Sequence, residues 1–178
     1  MAQYKKTELV LNKVFDTQSS RHQIDGNTAV LHCHHYAVLY SQLAMDCGML
    51  DAKVLLAECS EDAWIEFLSG YYKNNGVASL EDRLSIGEQT FAAAGLGKMR
   101  ITCAGPDSGE VSLEHSHVDE GWIQKWGKHD KPVNHIGAGF ISALFAAAFD
   151  RPARTFIATE TQSIVSGAAC SQFTVVVR

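Results

Sequence analysis

Proline is scarce in this chain: there are three in 178 residues, Pro106, Pro132 and Pro152, all in the second half, and each marks a junction. Long apolar runs are missing. No stretch approaches the roughly 18 residues needed to span a bilayer, which excludes a transmembrane helix, and the longest apolar run, 140–149, is interrupted by Ser142. Residues 1–12 are polar and mixed in charge, without the apolar core of a signal peptide. A basic stripe is also lacking. The net charge is −5 and the lysines and arginines are scattered, so nucleic acid and anionic membrane surfaces are excluded as partners. No C-x-x-C occurs among the five cysteines, Cys33, Cys47, Cys59, Cys103 and Cys170. An odd number at wide spacing reads as reduced thiols in a cytoplasmic protein. The signatures G-x-S-x-G, the P-loop, a full G-x-G-x-x-G and H-E-x-x-H are all absent.

The remaining composition is that of an ordinary globular chain, 46% hydrophobic and 20% charged, long enough to bury a core as one domain over 1–178. Residues 8–14 read as a short strand or helical turn, and the polar stretch 16–27 as a loop. Asn27-Thr28 offers a cap for a helix over 29–47, which Gly48 would stop. Asp51 caps a second helix over 52–72, ended by Asn74-Asn75-Gly76. Ser79 opens a capping box for a third helix, to about residue 94. The region 1–96 is thus mainly helical. Beyond 97 the period changes: 99–103 and 111–117 alternate around the turn chemistry of Pro106-Asp107-Ser108-Gly109, which predicts a β-hairpin. A short helix over 118–126 follows. Next comes a nearly all-apolar helix over 133–149, with Gly137 and Gly139 permitting close packing. Two strands, 154–163 and 170–177, turn at Ser166-Gly167. Segregated helices and antiparallel hairpins predict an α+β fold, a helical layer on an antiparallel sheet with one long buried helix.

Histidine supplies the unusual chemistry. On a helix His32 and His35 would share a face with Tyr36, able to bind one metal ion or to contact a ligand. On a strand Leu113, His115 and His117 would share a face after Val111. His135 opens the buried helix, where the helix dipole disfavours its protonated form. His32, His35, His117 and His135 are thus the candidate ligands of a transition metal. Trp64, Phe67, Trp122, Phe140 and other aromatics can wall an apolar cavity.

The segments G-A-G-F-I-S-A-L-F-A-A-A-F-D-R-P (137–152) and T-E-T-Q-S-I-V-S-G-A-A-C-S-Q-F (159–173), with Val118-Asp-Glu120, Gly127 and Pro132-Val133 upstream, resemble the 4-vinyl reductase domain family. The wider stretch is similar to the aromatic-sensing input domains of phenol-responsive transcriptional activators. The resemblance implies an α/β ligand-binding fold, often dimeric, that encloses an apolar cavity. It places the 111–117 strand beside that cavity, making His35, Tyr36, Leu113, His115, His117, Trp122, His135 and Phe140 the expected ligand-binding residues. Members with a structural zinc carry a cysteine after the Pro-Val pair, then E-x-x-C, then a second cysteine eight residues on. Here those places hold Asn134, Glu160, Ser163 and Ser171. Asparagine and serine are poor zinc ligands, so the sequence argues against the family's zinc. Two functions follow as expectations. One is a sensor or carrier that binds a small, largely apolar or aromatic molecule, as a homodimer. The alternative is a hydrolase or isomerase that uses the histidine cluster, with or without a metal.

Overall fold

The structure is a computed structural model, and it describes residues 7–30 and 32–178. Three short strands open it: β1 (Lys13–Asp16), β2 (Arg21–Ile24) and β3 (Asn27–Ala29), paired antiparallel in that order. Here the loop expected over 16–27 is corrected to a small sheet. Its turn is Asp25-Gly26, with φ of 50° and 81°, the two left-handed residues that a two-residue hairpin requires. Asn27-Thr28 consequently pairs in β3 and caps no helix. The first helix, α1 (His34–Asp46), starts five residues later than expected, with Cys33 at its N-cap. His32 therefore precedes the helix and shares no helical face with His35.

The next two helices follow their caps. In α2 (Ala52–Asn75) the Asp51 side chain accepts from Val54 N, and Gly76, at φ 64°, ends the helix. In α3 (Leu80–Ala93) the Ser79 hydroxyl accepts from Asp82 N. The second sheet contains β4 (Gly97–Ala104), β5 (Ser108–Ser116), β6 (Phe156–Gln162) and β7 (Ser171–Val177), in the antiparallel order β4-β5-β7-β6. Between β5 and β6 lie α4 (His117–Trp126) and α5 (His135–Ala148). A 3-10 turn (Ile164–Ser166) links β6 to β7. The fold is α+β.

α5 is the centre of the molecule, packed on α2 and on the sheet. Gly139 makes this possible: a Cβ there would lie 2.1 Å from the Ala57 carbonyl oxygen of α2. Phe91, Phe140, Phe145, Phe156 and Phe173, with Leu113 and Leu144, fill the space between helices and sheet and are all buried. The cavity expected in that space is therefore taken up by phenylalanine rings. A second, smaller core joins Ala37 and Val38 of α1 to Val118 and Trp122 of α4, with Val133 and Val165. Residues 7–11 are strapped across α2 and α3 by side chains. Leu9 N donates to Gln89 Oε1 at 2.9 Å, Val10 N to Tyr71 Oη at 3.0 Å, and Gln89 Nε2 to Thr7 O at 2.7 Å.

Candidate functional site

An apolar cleft of about 340 Å³ lies between α2, α3 and the strands β2 and β3. Trp64, Phe67 and Ala63 line it from α2, Thr90, Ala93 and Ala94 from α3, and Ile24, Asn27, Thr28 and Ala29 from the small sheet, with Leu11 beside them and Glu66 as its charged member. Trp64 and Phe67 sit one turn apart and meet edge to face, ring centres 5.9 Å apart. Phe140 backs the cleft through a 4.9 Å edge contact with Trp64. The volume is at the small end of ordinary ligand sites, and the mixture of apolar wall with a few polar groups is typical of them. The Trp64–Phe67 pair is visible in the sequence. The opposite wall was missed there because it comes from strands read as a loop and as the cap and start of a helix.

The predicted site residues spread over several places. Leu113 and Phe140 are core residues, and Trp122 belongs to the second core. His115 and His117 do not share a face. A bulge pairs Lys98 with His115 but Met99 with Leu113, so Glu114 is the extra residue. Leu113 points into the core, while His115 faces solvent and meets Glu120 Oε1 at 2.9 Å. The strand ends at Ser116, whose hydroxyl accepts from Asp119 N and caps α4, with His117 as that helix's first residue.

His117 gathers a patch of imidazoles. The ring centres of His32 and His34 lie 6.0 and 6.2 Å from it, His35 stacks on His34 at 4.2 Å, and the exposed Tyr36 meets His32 edge-on at 6.4 Å. Partial burial, and then the neighbouring His32 and His34, lower the pKa of His117 and favour its neutral form. His135 lies elsewhere, in a cleft of about 290 Å³ with Lys53, Glu58 and Arg178. Burial, and then Lys53, lower its pKa as well, and its Nε2 is buried without a partner among the described residues. The four expected metal ligands thus do not converge. Among the described residues no group of three or more His, Cys, Asp or Glu side chains is placed to hold a metal ion.

Two of the positions that hold zinc ligands in the resembled family, Asn134 and Ser171, meet on a carboxylate of the Val118-Asp-Glu120 segment, to which the sequence reading gives no role. Asp119 is fully buried. Its Oδ2 accepts from Ser171 Oγ at 3.0 Å and from Asn134 Nδ2 at 3.4 Å, and Asn134 Nδ2 also donates to Ser116 Oγ at 3.0 Å. Glu160 Oε2 accepts from Asn134 N at 3.3 Å. Zinc does not fit this set: the amide and the hydroxyls replace thiolates, and the Asn134 and Ser171 hydrogens are directed at Asp119. Asp119 Oδ1 and Glu160 Oε1 are buried and meet no donor among the described residues. Burial, and then the neighbouring Asp119, push Glu160 up to about 7, and burial raises Asp119 too.

Neither a family model nor a curated protein matches the sequence. Solved structures do match the fold. The phenol-responsive sensory domain of the transcription activator PoxR, determined with phenol, superposes with a TM-score of 0.77 at 15% identity, covering 93% of this chain and 84% of that one. A trafficking protein particle complex subunit 3 from Naegleria fowleri, covalently bound to palmitic acid, gives 0.55 at 12% identity, over 82% of this chain and 94% of that one. A vinyl-4-reductase family protein from Methanocaldococcus jannaschii gives 0.50 at 12% identity, over 84% of each chain. The chain has the fold of these sensory and vinyl-4-reductase domains.

Proposed function

We propose that this chain binds a small, largely apolar or aromatic molecule in the cleft between Trp64, Phe67 and the β2–β3 strands, as a sensor or carrier. The carrying observation is the cleft itself, an aromatic and aliphatic wall with few polar groups. The contents of the similar structures support the reading: one is described with phenol and another with palmitic acid. Burial of the ligand's apolar surface would supply most of the affinity, at about 25 cal/mol per Å². Asn27, Thr28 or Glu66 would orient a polar group. The test is titration of the untagged chain with phenol, alkylphenols and medium-chain fatty acids, followed by calorimetry and tryptophan emission. Saturable binding by at least one class that Trp64→Ala weakens supports the reading. Binding that Trp64→Ala leaves untouched sinks this location.

One observation favours a second location. Neutral His117, flanked by His32, His34 and the exposed Tyr36, forms a patch able to donate or accept one hydrogen bond to a phenolic oxygen. The expected ligand residues His35, Tyr36 and His117 belong to it. Loss of binding in His117→Ala with retention in Trp64→Ala would move the site there.

The oligomer belongs to the same proposal. Tyr36, Leu39, Tyr40 and Leu43 recur at helical spacing on α1 and are 54%, 40%, 50% and 57% exposed. An apolar stripe of this kind on a helix is a face for a partner, and we assign it to a second copy of the chain. No helix among the described residues is long and apolar enough to cross a membrane.

A further inference from the structure

We propose that the place of the family's zinc is held here by a metal-free clasp, in which Asp119 takes the ion's position as the common acceptor. Zinc in such a place joins ligands from separate elements through one central charge. Asp119 does the same with oxygen. Its carboxylate, at the N-terminus of α4, collects Ser171 from the start of β7 and Asn134 from the cap of α5, while the Ser116 hydroxyl at the end of β5 accepts from Asp119 N and from Asn134 Nδ2. Each of these partners is tied onward. The Asn134 side-chain oxygen accepts from Gly137 N at 2.8 Å, and Ser171 Oγ accepts from Ile164 N at 3.0 Å. Ser163 Oγ accepts from Val165 N at 3.3 Å and so closes the 3-10 turn. Ser116, Asp119, Asn134, Ser163 and Ser171 are all at least 98% buried, so the network is interior architecture.

The polarity of the bonds argues against zinc on Asn134 and Ser171, although Asp119 Oδ1 and Glu160 Oε1 meet no donor among the described residues. The amide and hydroxyl hydrogens point inward at the carboxylate, whereas a cation would require their oxygens to point inward. An amide that turns its NH₂ toward Asp119 and its oxygen toward Gly137 N does not present that oxygen to a metal beside Asp119. The clasp gathers the ends of β5 and β6, the start of β7 and the N-termini of α4 and α5, the junction on which His117 sits. The chain would thereby keep this junction whatever the supply of zinc.

The experiment begins with native mass spectrometry and elemental analysis of the untagged chain, with melting temperatures taken in excess chelator. The expected result is the bare chain mass, no stoichiometric metal and no change in melting temperature. One zinc or other divalent ion per chain, or a fall in melting temperature with chelator, overturns the proposal. Two variants then locate the clasp. Asp119→Ala leaves the buried Ser171 hydroxyl without its acceptor and removes one of the two acceptors of the Asn134 amide, and its melting temperature should fall by about 5–10 °C, with no recovery on adding zinc. An unchanged melting temperature would overturn the proposal. The triple variant Asn134→Cys, Ser163→Cys, Ser171→Cys, which keeps Glu160, should bind one zinc per chain, because it returns thiolates to converging positions. Failure of the folded triple variant to take zinc would show that these positions do not stand where the metal does, and would overturn the proposal as well.

Discussion

At position 64 an indole stands between cleft and core, touching Phe67 on one side and Phe140 on the other. Truncating it removes cleft wall and leaves the main sheet untouched. Trp64→Ala should weaken ligand binding by about 10–100-fold, the equivalent of about 1.5–3 kcal/mol of lost apolar contact, as read by calorimetry. Glu160 makes a different prediction. Its carboxyl is raised from the ordinary 4.5 to about 7 in the folded chain, so between those values the folded state holds a proton that the unfolded state has released. Its stabilising contribution is complete below pH 4.5 and is lost as pH rises through about 7. Glu160→Gln fixes the neutral shape. Its melting temperature should match that of the unaltered chain near pH 4.5 and exceed it increasingly up to about pH 7. His117 and His135, with lowered pKa values, act in the opposite sense as pH falls, and they cancel in this comparison. A constant difference across the range would show that Glu160 carries no such proton.

Among the elements, those with local punctuation were legible and those made by pairing were not. Asp51 and Ser79 cap α2 and α3 where the sequence places them, and Pro106-Asp107-Ser108-Gly109 turns β4 into β5. The small sheet escaped because its strands are three and four residues long and mostly exposed, with no apolar face to impose a period of two. Its one signal was Asp25-Gly26, inside a stretch whose polarity reads as loop. The same error moved the start of α1 and hid half the cleft. The bulge at Glu114 hid the true facing of His115, since alternation predicts a side only while register holds. The apolar pattern placed α5, β6 and β7 well, whereas the role of Asp119, quoted within Val118-Asp-Glu120, was not legible because its partners come from three other segments. Gly26 tests the small sheet. At φ 81°, Gly26→Val strains the turn, so amide exchange in residues 21–29 should accelerate and ligand affinity should fall, with α5 protection unchanged.

At the level of the whole molecule, α5 holds the main core, and the strands that cover the cleft contact the body only sparsely. A ligand in the cleft would join the two. Bound chain should therefore show slower exchange in β2 and β3 than free chain, without change in the β4–β7 sheet. The exposed α1 stripe makes a prediction of assembly. Leu43→Glu should convert the proposed dimer to a monomer in light scattering while leaving the far-ultraviolet circular dichroism intact. A monomeric unaltered chain would remove the homodimer from the proposal. The bulge at Glu114 has a consequence of another kind, in how the gene tolerates length change. Loss of that single codon would close the bulge and make Leu113 and His115 neighbours, opposite Met99 and Lys98, the partners they already have. His115 would keep its solvent face, and Ser116 its place opposite Gly97. Deletion at 114 is therefore expected to be milder than deletion at 113 or 115, which forces Glu114 into a paired position, so a library of single-residue deletions should show a local maximum in folded yield at that codon.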